Sequence, residues 1–218
     1  HAYDPGYQVT FALMLTSAII TCTLTTRLKD HAKMSAQAAF RTKILFDTNQ
    51  LLQRAKSEEE IFSLTASQLI KLLNRSLIVY PEQNGDLGSE QFFGVDGETA
   101  QNIFSAPEER DAANWTFANK KRSGAGTDSY PDAKGLYLAL RTGGGVFGVV
   151  GIDLSEKPLD AFENSVLLSI LGEGALAIEN RRNALEKEQA ALQARNEELR
   201  ANLLRTISHD LRTPLTSI

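Results

Sequence analysis

The sequence predicts an α+β domain, an antiparallel sheet flanked by helices, preceded by a transmembrane helix and followed by a long coiled-coil helix. Three observations predict it. Residues 8 to 26 carry no charge, a Gly143-Gly144-Gly145 turn separates two alternating β-rich runs, and a helical pattern opened by Asp160 meets no proline until Pro214. Composition sets the bounds. With 218 residues, 42% of them hydrophobic, the chain holds one domain of ordinary size plus appendages and leaves no room for two catalytic domains. A balance of 23 Lys and Arg against 27 Asp and Glu, net charge −4, argues against a whole-protein electrostatic grip on nucleic acid. The single cysteine, Cys22, excludes an internal disulfide and a zinc site built from cysteines. A first residue of His rather than Met implies a chain that is processed or cut from a longer one.

Residues 8 to 26 (QVTFALMLTSAIITCTLTT) span about 28 Å as a helix, enough for a bilayer's hydrocarbon. The stretch holds six Thr and one Ser, whose hydroxyls can bond back to the i−4 carbonyl or to a neighbouring helix. A secretory signal would need a basic leader, but residues 1 to 8 offer only Asp4. Arg27, Lys29, Lys33, Arg41 and Lys43 follow the span against one acid, Asp30, which places the C-terminal side in the cytoplasm and Tyr3 and Tyr7 at the outer interface. A buried apolar helix of a soluble domain is the alternative. Residues 1–26 are therefore expected to form a transmembrane helix with its outer flank, and 27–42 a juxtamembrane helix.

Residues 43–180 carry the mixed domain. Helix continues to about Arg54, and a second helix starts at the capping box Ser57-Glu58-Glu59-Glu60, ahead of an apolar face from Ile61 to Leu73. Ser76 to Pro81 then reads as a strand, Asn84 to Gly88 as a turn, and Glu90 to Val95 as a shorter strand. After the acid-rich start Pro107-Glu108-Glu109, a helix is predicted around Ala112 to Arg122. Gly135 to Thr142 and Val146 to Leu154 form a hairpin. A second capping box, Asp160 to Glu163, opens the last helix.

Along that helix Leu171, Ile178, Leu185, Leu192 and Leu199 recur every seventh residue, which predicts a coiled coil with its linker at residues 181–201. The other core position is poorly filled, by Arg181, Arg182, Glu188, Gln189 and Arg195, so the coil is expected to be weak and adjustable. A single solvated helix packed on its own domain is the alternative.

Residues 202–218 end in Ser208-His209-Asp210-Leu211-Arg212-Thr213-Pro214-Leu215 on an amphipathic helix. A neutral imidazole is a good nucleophile near neutral pH, and donation from one ring nitrogen to Asp210 would leave the other free to attack a phosphate. Pro214 removes a helix hydrogen bond and bends the helix beside His209. Leu204, Ile207, Leu211, Leu215 and Ile218 share one face, suited to a helical bundle. The string closely resembles the H-box of sensor histidine kinases. That resemblance implies that His209 is the phosphoacceptor, that Asp210 orients it and shares its proton, that Thr213 serves dephosphorylation of the partner, and that residues 202–218 begin a HisKA four-helix dimerisation bundle.

Upstream, Ser123-Gly124-Ala125-Gly126-Thr127-Asp128-Ser129-Tyr130-Pro131, Gly135 to Leu140 and Gly148-Val149-Val150-Gly151 resemble the GAF segment of the KdpD-type, potassium-responsive sensor kinases. The chain departs from that family at Ala139, where a proline is expected. The resemblance implies residence in the bacterial inner membrane with residues after about 27 cytoplasmic, a homodimer, a response-regulator receiver domain as phosphate partner, control of potassium uptake genes, and a C-terminal ATP-binding domain using ATP-Mg. No ATP-lid or G-x-x-x-x-G-K-[ST] motif is present here, so ATP-Mg is expected as substrate of the full-length kinase, and the chain alone is expected neither to bind it nor to transfer phosphate. The GAF ligand is unknown. Tyr80, Phe93, Trp115, Tyr130 and Tyr137 are candidate lining residues or plain core. A bilin attached through a GAF cysteine is excluded because Cys22 lies in the span, and haem ligation because His31 and His1 lie outside the domain. No metal ligand set is evident. Two other outputs fit part of the pattern, a ligand-binding GAF module whose coil dimerises something else and a membrane-anchored scaffold; the S-H-D-L-R-T-P-L string argues against both.

Overall fold

A computed structural model describes residues 5–94 and 97–215, with side chains described from Thr10 to Arg205 apart from Ala12, Asp30 and residues 95–99. The chain divides into two compact units, His1–Asp47 and Thr48–Ile218. Helix α1, Pro5–Arg54, supplies the first unit and ends in the second. In the first unit Thr21, Thr23, Thr25 and Thr26 donate their hydroxyls to the carbonyls of Ser17, Ile19, Thr21 and Cys22 at 2.7–2.9 Å. Those back-bonds satisfy the hydroxyls within the helix itself, as the sequence anticipated. Phe11 (68% exposed), Met14, Ile20 and Leu24 (58%) are left uncovered by the described residues of their own unit. The predicted span starts at residue 8, outside the described side chains, and Tyr3 and Tyr7 lie outside them too.

The second unit begins with the last turns of α1, where Thr48 and Leu52 are buried. Helix α2 is Glu58–Leu73. Its N-cap Ser57 accepts from the Glu60 N–H, and the Glu60 carboxylate reaches back to the Lys56 N–H at 2.7 Å, so the box closes one residue earlier than its usual form. Strands β1 (Leu77–Gln83), β2 (Asp86–Leu87) and β3 (Gln91–Phe93) follow, then α3 (Gly97–Phe104) and α4 (Pro107–Asn119). Strands β4 (Ser123–Gly124), β5 (Gly135–Arg141) and β6 (Val146–Asp153) precede α5 (Ala161–Leu215). The α5 box is complete, with Glu163 N–H to Asp160 Oδ1 at 2.7 Å and Asp160 N–H to Glu163 Oε2 at 2.9 Å.

The sheet is antiparallel, in the order β2-β1-β6-β5-β4, with β3 also on β1. Its central strands are buried on both faces, which is why they read as apolar runs. Register decides the faces. Ile78 pairs with Gly151 and Phe92, and Gly151 with Tyr137, so these look towards α3 and α4. Leu77, Val79, Leu138 and Val150 look towards α2 and α5, where Ile61, Leu69, Leu167, Ile170 and Ile178 are buried. Each such Leu or Ile contributes about 1.5–3 kcal/mol by leaving water.

Three expectations are corrected. Helix α4 starts at Pro107, five residues before its predicted start, because proline fits the first helical position; it stops at Lys120, held left-handed at φ 58°. The predicted heptad divides: Leu171 and Ile178 are domain core, while Leu185 (38% exposed), Leu192 (57%) and Leu199 (55%) are left uncovered among the described residues. Arg182 is not a coil core position, since its guanidinium is hydrogen-bonded to Glu58 and Glu82 and stacks on Phe147 within the domain.

Candidate functional site

Two places invite function: the layer between the sheet and α3–α4, where the aromatic candidates cluster, and the far end of α5. In the first, Tyr80 and Tyr137 are fully buried with Ile78, Phe104, Ala112, Ala113 and Val149. Both side chains reach this layer because β1 and β5 present alternate residues to it. A Cβ at position 151 would come within 2.5 Å of the Tyr137 ring and 2.6 Å of Ile78, so only glycine leaves room for that ring.

The layer is organised by a buried acid. Glu109, 1% exposed, accepts from the N–H groups of Lys134 and Gly135 at 2.7 and 3.2 Å and from the Tyr137 hydroxyl at 2.7 Å. Three donors on one carboxylate compensate its removal from water. Burial, reinforced by the hydrogen bond to Glu109, pushes the Tyr137 phenol far above its ordinary range. Burial also raises Tyr80, against the opposing pull of Arg110. Arg110 stacks 4.8 Å from the Tyr80 ring centroid and donates to the Leu87 and Gly88 carbonyls at 2.8 and 3.1 Å. Both tyrosines are therefore neutral core residues, not acids or bases. Below α4, Ser123 Oγ donates to the Ala112 carbonyl at 2.8 Å and sits 2.7 Å from Thr116 Oγ1.

Of the five aromatic candidates, the structure brings together only Tyr80 and Tyr137. Phe93 pairs with Leu77 and so faces α2; its neighbour Phe92 meets the cluster instead. Tyr130, at φ 59°, is 38% exposed, and Trp115 lines a separate groove at the sheet edge. Sequence reasoning passed over Glu109 and Arg110. An acid in a first helical turn reads as a dipole partner, and nothing local says that the turn is buried. Among the described residues no three His, Cys, Asp or Glu side chains converge as a metal would require.

At the root of the coil, Arg182 joins three elements. Its Nε and one terminal nitrogen donate to the two Glu58 oxygens, each at 2.9 Å, and the other donates to Glu82 Oε2 at 2.7 Å. The guanidinium lies 5.3 Å from the Phe147 ring centroid. The hydrogen bonds to Glu58 hold Arg182 firmly charged, well above its ordinary value despite burial. Burial opposes ionisation of Glu82, but the Gly85 N–H and Arg182 outweigh it and lower its carboxyl. Beside this clasp, Asn49 donates to Glu173 at 3.0 Å in the wall of a pocket of about 330 Å³.

His209, Asp210, Thr213 and Pro214 all fall on α5, and their side chains lie outside the described residues, as do those of Ile207, Leu211 and Leu215; Ile218 lies beyond the described chain. Before them, Leu203 and Leu204 are exposed. Among the described residues one segment, Ala161–Arg205, is long and apolar enough to cross a membrane. Its buried apolar residues run from Val166 to Ile178, packed against the sheet, so that stretch is domain core.

The chain matches no family model. It is 33% identical over 217 residues to the sensor protein KdpD of Clostridium acetobutylicum and 29% identical over 216 residues to the sensor protein KdpD of Escherichia coli, which is 99% and 98% of this chain. It spans about a quarter of their length, 24% and 23%. Among solved structures, a GAF domain from Pseudomonas syringae pv. tomato superposes with a TM-score of 0.51 at 17% identity, over 73% of this chain and 97% of that one. The GAF domain of the potassium sensor histidine kinase KdpD of E. coli gives 0.47 at 20%, over 69% and 99%. The second unit has a GAF fold.

Proposed function

Starting from a chain similar over 99% of its length to a segment of sensor protein KdpD, we propose that it is the sensory and phosphoacceptor part of a membrane-bound two-component histidine kinase. The observation that carries this reading is the extent of the match. A span of 217 of 218 residues necessarily takes in the His209 string along with the GAF fold and the N-terminal helix. The bare row Leu185, Leu192, Leu199 and Leu203 supports it as well, since apolar side chains at coil spacing on a long helix require a second helix. In this reading residues 8–26 span the inner membrane, residues after about 27 are cytoplasmic, and two copies pair through residues 180–218.

The chemistry follows from the residue types. One His209 nitrogen attacks the γ-phosphorus of ATP-Mg held by a separate ATP-binding domain, the bond to the bridging oxygen breaks, and ADP leaves with that electron pair. The positive charge on the ring is balanced by Asp210 through the other nitrogen. The phosphoryl group then passes to an aspartate of a response-regulator receiver domain, in control of potassium uptake genes, and Thr213 serves the reverse hydrolysis. Pro214 sets the bend that exposes the ring.

The test mixes the chain, in nanodiscs, with a cognate ATP-binding domain and labelled ATP. Label that is lost in acid and kept in base, and absent from His209→Gln, is the expected result. Label that persists in His209→Gln overturns the assignment.

A further inference from the structure

We infer that the groove along the open edge of β5 binds a soluble, phosphate-bearing small molecule. It measures about 880 Å³, within the range of small-molecule sites. It is distinct from the layer between the sheet and α3–α4, which Tyr80 and Tyr137 fill. Lys120, Lys121, Arg122 and Arg141 line it, against one acid, Asp128. Among the described residues none of the four cations forms an ion pair, in a chain whose net charge is −4. Four cations gathered around one hollow repel each other, and an anion between them removes that cost. Two are arginines, whose planar forks suit phosphate oxygens.

The backbone makes the same offer. Strand β4 covers β5 only at Leu136 and Tyr137. The Gly135 carbonyl points to that side, where it accepts from Ala125 N–H at 2.9 Å, so by alternation the N–H of Ala139 points outward too, with no strand opposite it. The rim is rigid rather than loose. Lys120 and Tyr130 hold positive φ without being glycine, and Thr127 Oγ1 lies 2.8 Å from the carbonyls of both Gly124 and Ser129. A rim fixed before binding spends little ordering entropy on the ligand. Trp115, Leu138 and Leu168 also line the groove and add apolar surface, which suits a ligand with a flat ring beside its phosphates.

Trp115 is the single tryptophan, so its emission reports this groove directly. The full chain in zwitterionic nanodiscs is titrated with tripolyphosphate and with ATP, with equilibrium dialysis of labelled ATP as a second readout. Saturable binding is expected, tighter for ATP, weakened about tenfold by Arg122→Ala or Arg141→Ala, the loss of one charge-assisted pair. His209→Gln should bind as the parent does, which separates this site from the phosphoacceptor reading. Absence of saturable binding, binding unchanged in both arginine variants, or a response only when the nanodiscs carry anionic lipid would each overturn the proposal.

Discussion

Arg182→Met should destabilise the GAF unit by about 2 kcal/mol. The substitution keeps an unbranched side chain and removes the charged guanidinium, with its stacking over the Phe147 ring. Two hydrogen bonds to Glu58 and one to Glu82 are lost, with the Arg182 side chain 33% exposed and those carboxylates 27% and 14%. Solvent at the Glu58 side limits that bidentate pair to about 0.5–1 kcal/mol. The better-covered Glu82 side contributes about 1–1.5 kcal/mol, including the cost of leaving its carboxylate without a cation. For a unit of this size, 2 kcal/mol lowers the unfolding midpoint by about 4–8 °C. Trp115 emission during heating is the assay, since that residue lies in the GAF unit. The pH dependence has a definite sign. Glu82 is lowered in the folded state, so its contribution is present above the unfolded carboxyl value, about 4.3, and is lost as pH falls through the lower folded value. The gap between parent and variant should therefore be full near neutrality and close in acid. A midpoint within 1 °C of the parent at neutral pH, about 0.3 kcal/mol by the same scaling, or a gap that widens in acid, would refute the clasp.

Tyr137→Phe should cost about 1.5–3 kcal/mol, because Glu109 stays buried with one donor fewer, and chemical denaturation should show it. Gly151→Ala should destabilise by about 1–3 kcal/mol through its clash with the Tyr137 ring, and Gly151→Ala combined with Tyr137→Leu should recover part of that in the same assay. Replacing Gln189 and Asn196 by Ile should strengthen pairing of the exposed coil in sedimentation equilibrium and fix its register, making the kinase-to-phosphatase ratio of the longer protein insensitive to potassium; an unaltered potassium response would make the coil a passive spacer.

What was legible in the sequence was what local chemistry decides. Ser57 and Asp160 announce their helices because the cap and its returning carboxylate lie within four residues. The β5–β6 hairpin is legible because three glycines separate two runs of the same period. Elements of two to eight residues, β2, β4 and α3, hold too few positions to show a period. Heptad spacing at Leu171 and Ile178 says that an apolar face is needed but not whether its partner is the chain's own sheet or a second helix; the structure divides the row between Ile178 and Leu185. Phe92 and Phe93 differ by one residue, and only the pairing of Phe93 with Leu77 settles which one meets the α3–α4 layer. Glu109 read as a helix-dipole acid and Arg182 as a poor coil core residue because their partners lie 25 or more residues away: Lys134 N–H is 25 positions from Glu109, and Glu82 is 100 from Arg182. His209, by contrast, came from a contiguous string whose residue types each serve the chemistry.

The central claim is that this chain carries the phosphoacceptor, and site-resolved mass spectrometry at neutral pH tests it most directly. After incubation with the ATP-binding domain and ATP-Mg, peptides covering residues 201–218 should carry one phosphoryl group on the His209 ring, lost on brief acid treatment. Phosphate found on Ser208, Thr206 or Thr213 instead, stable to acid, would contradict the account.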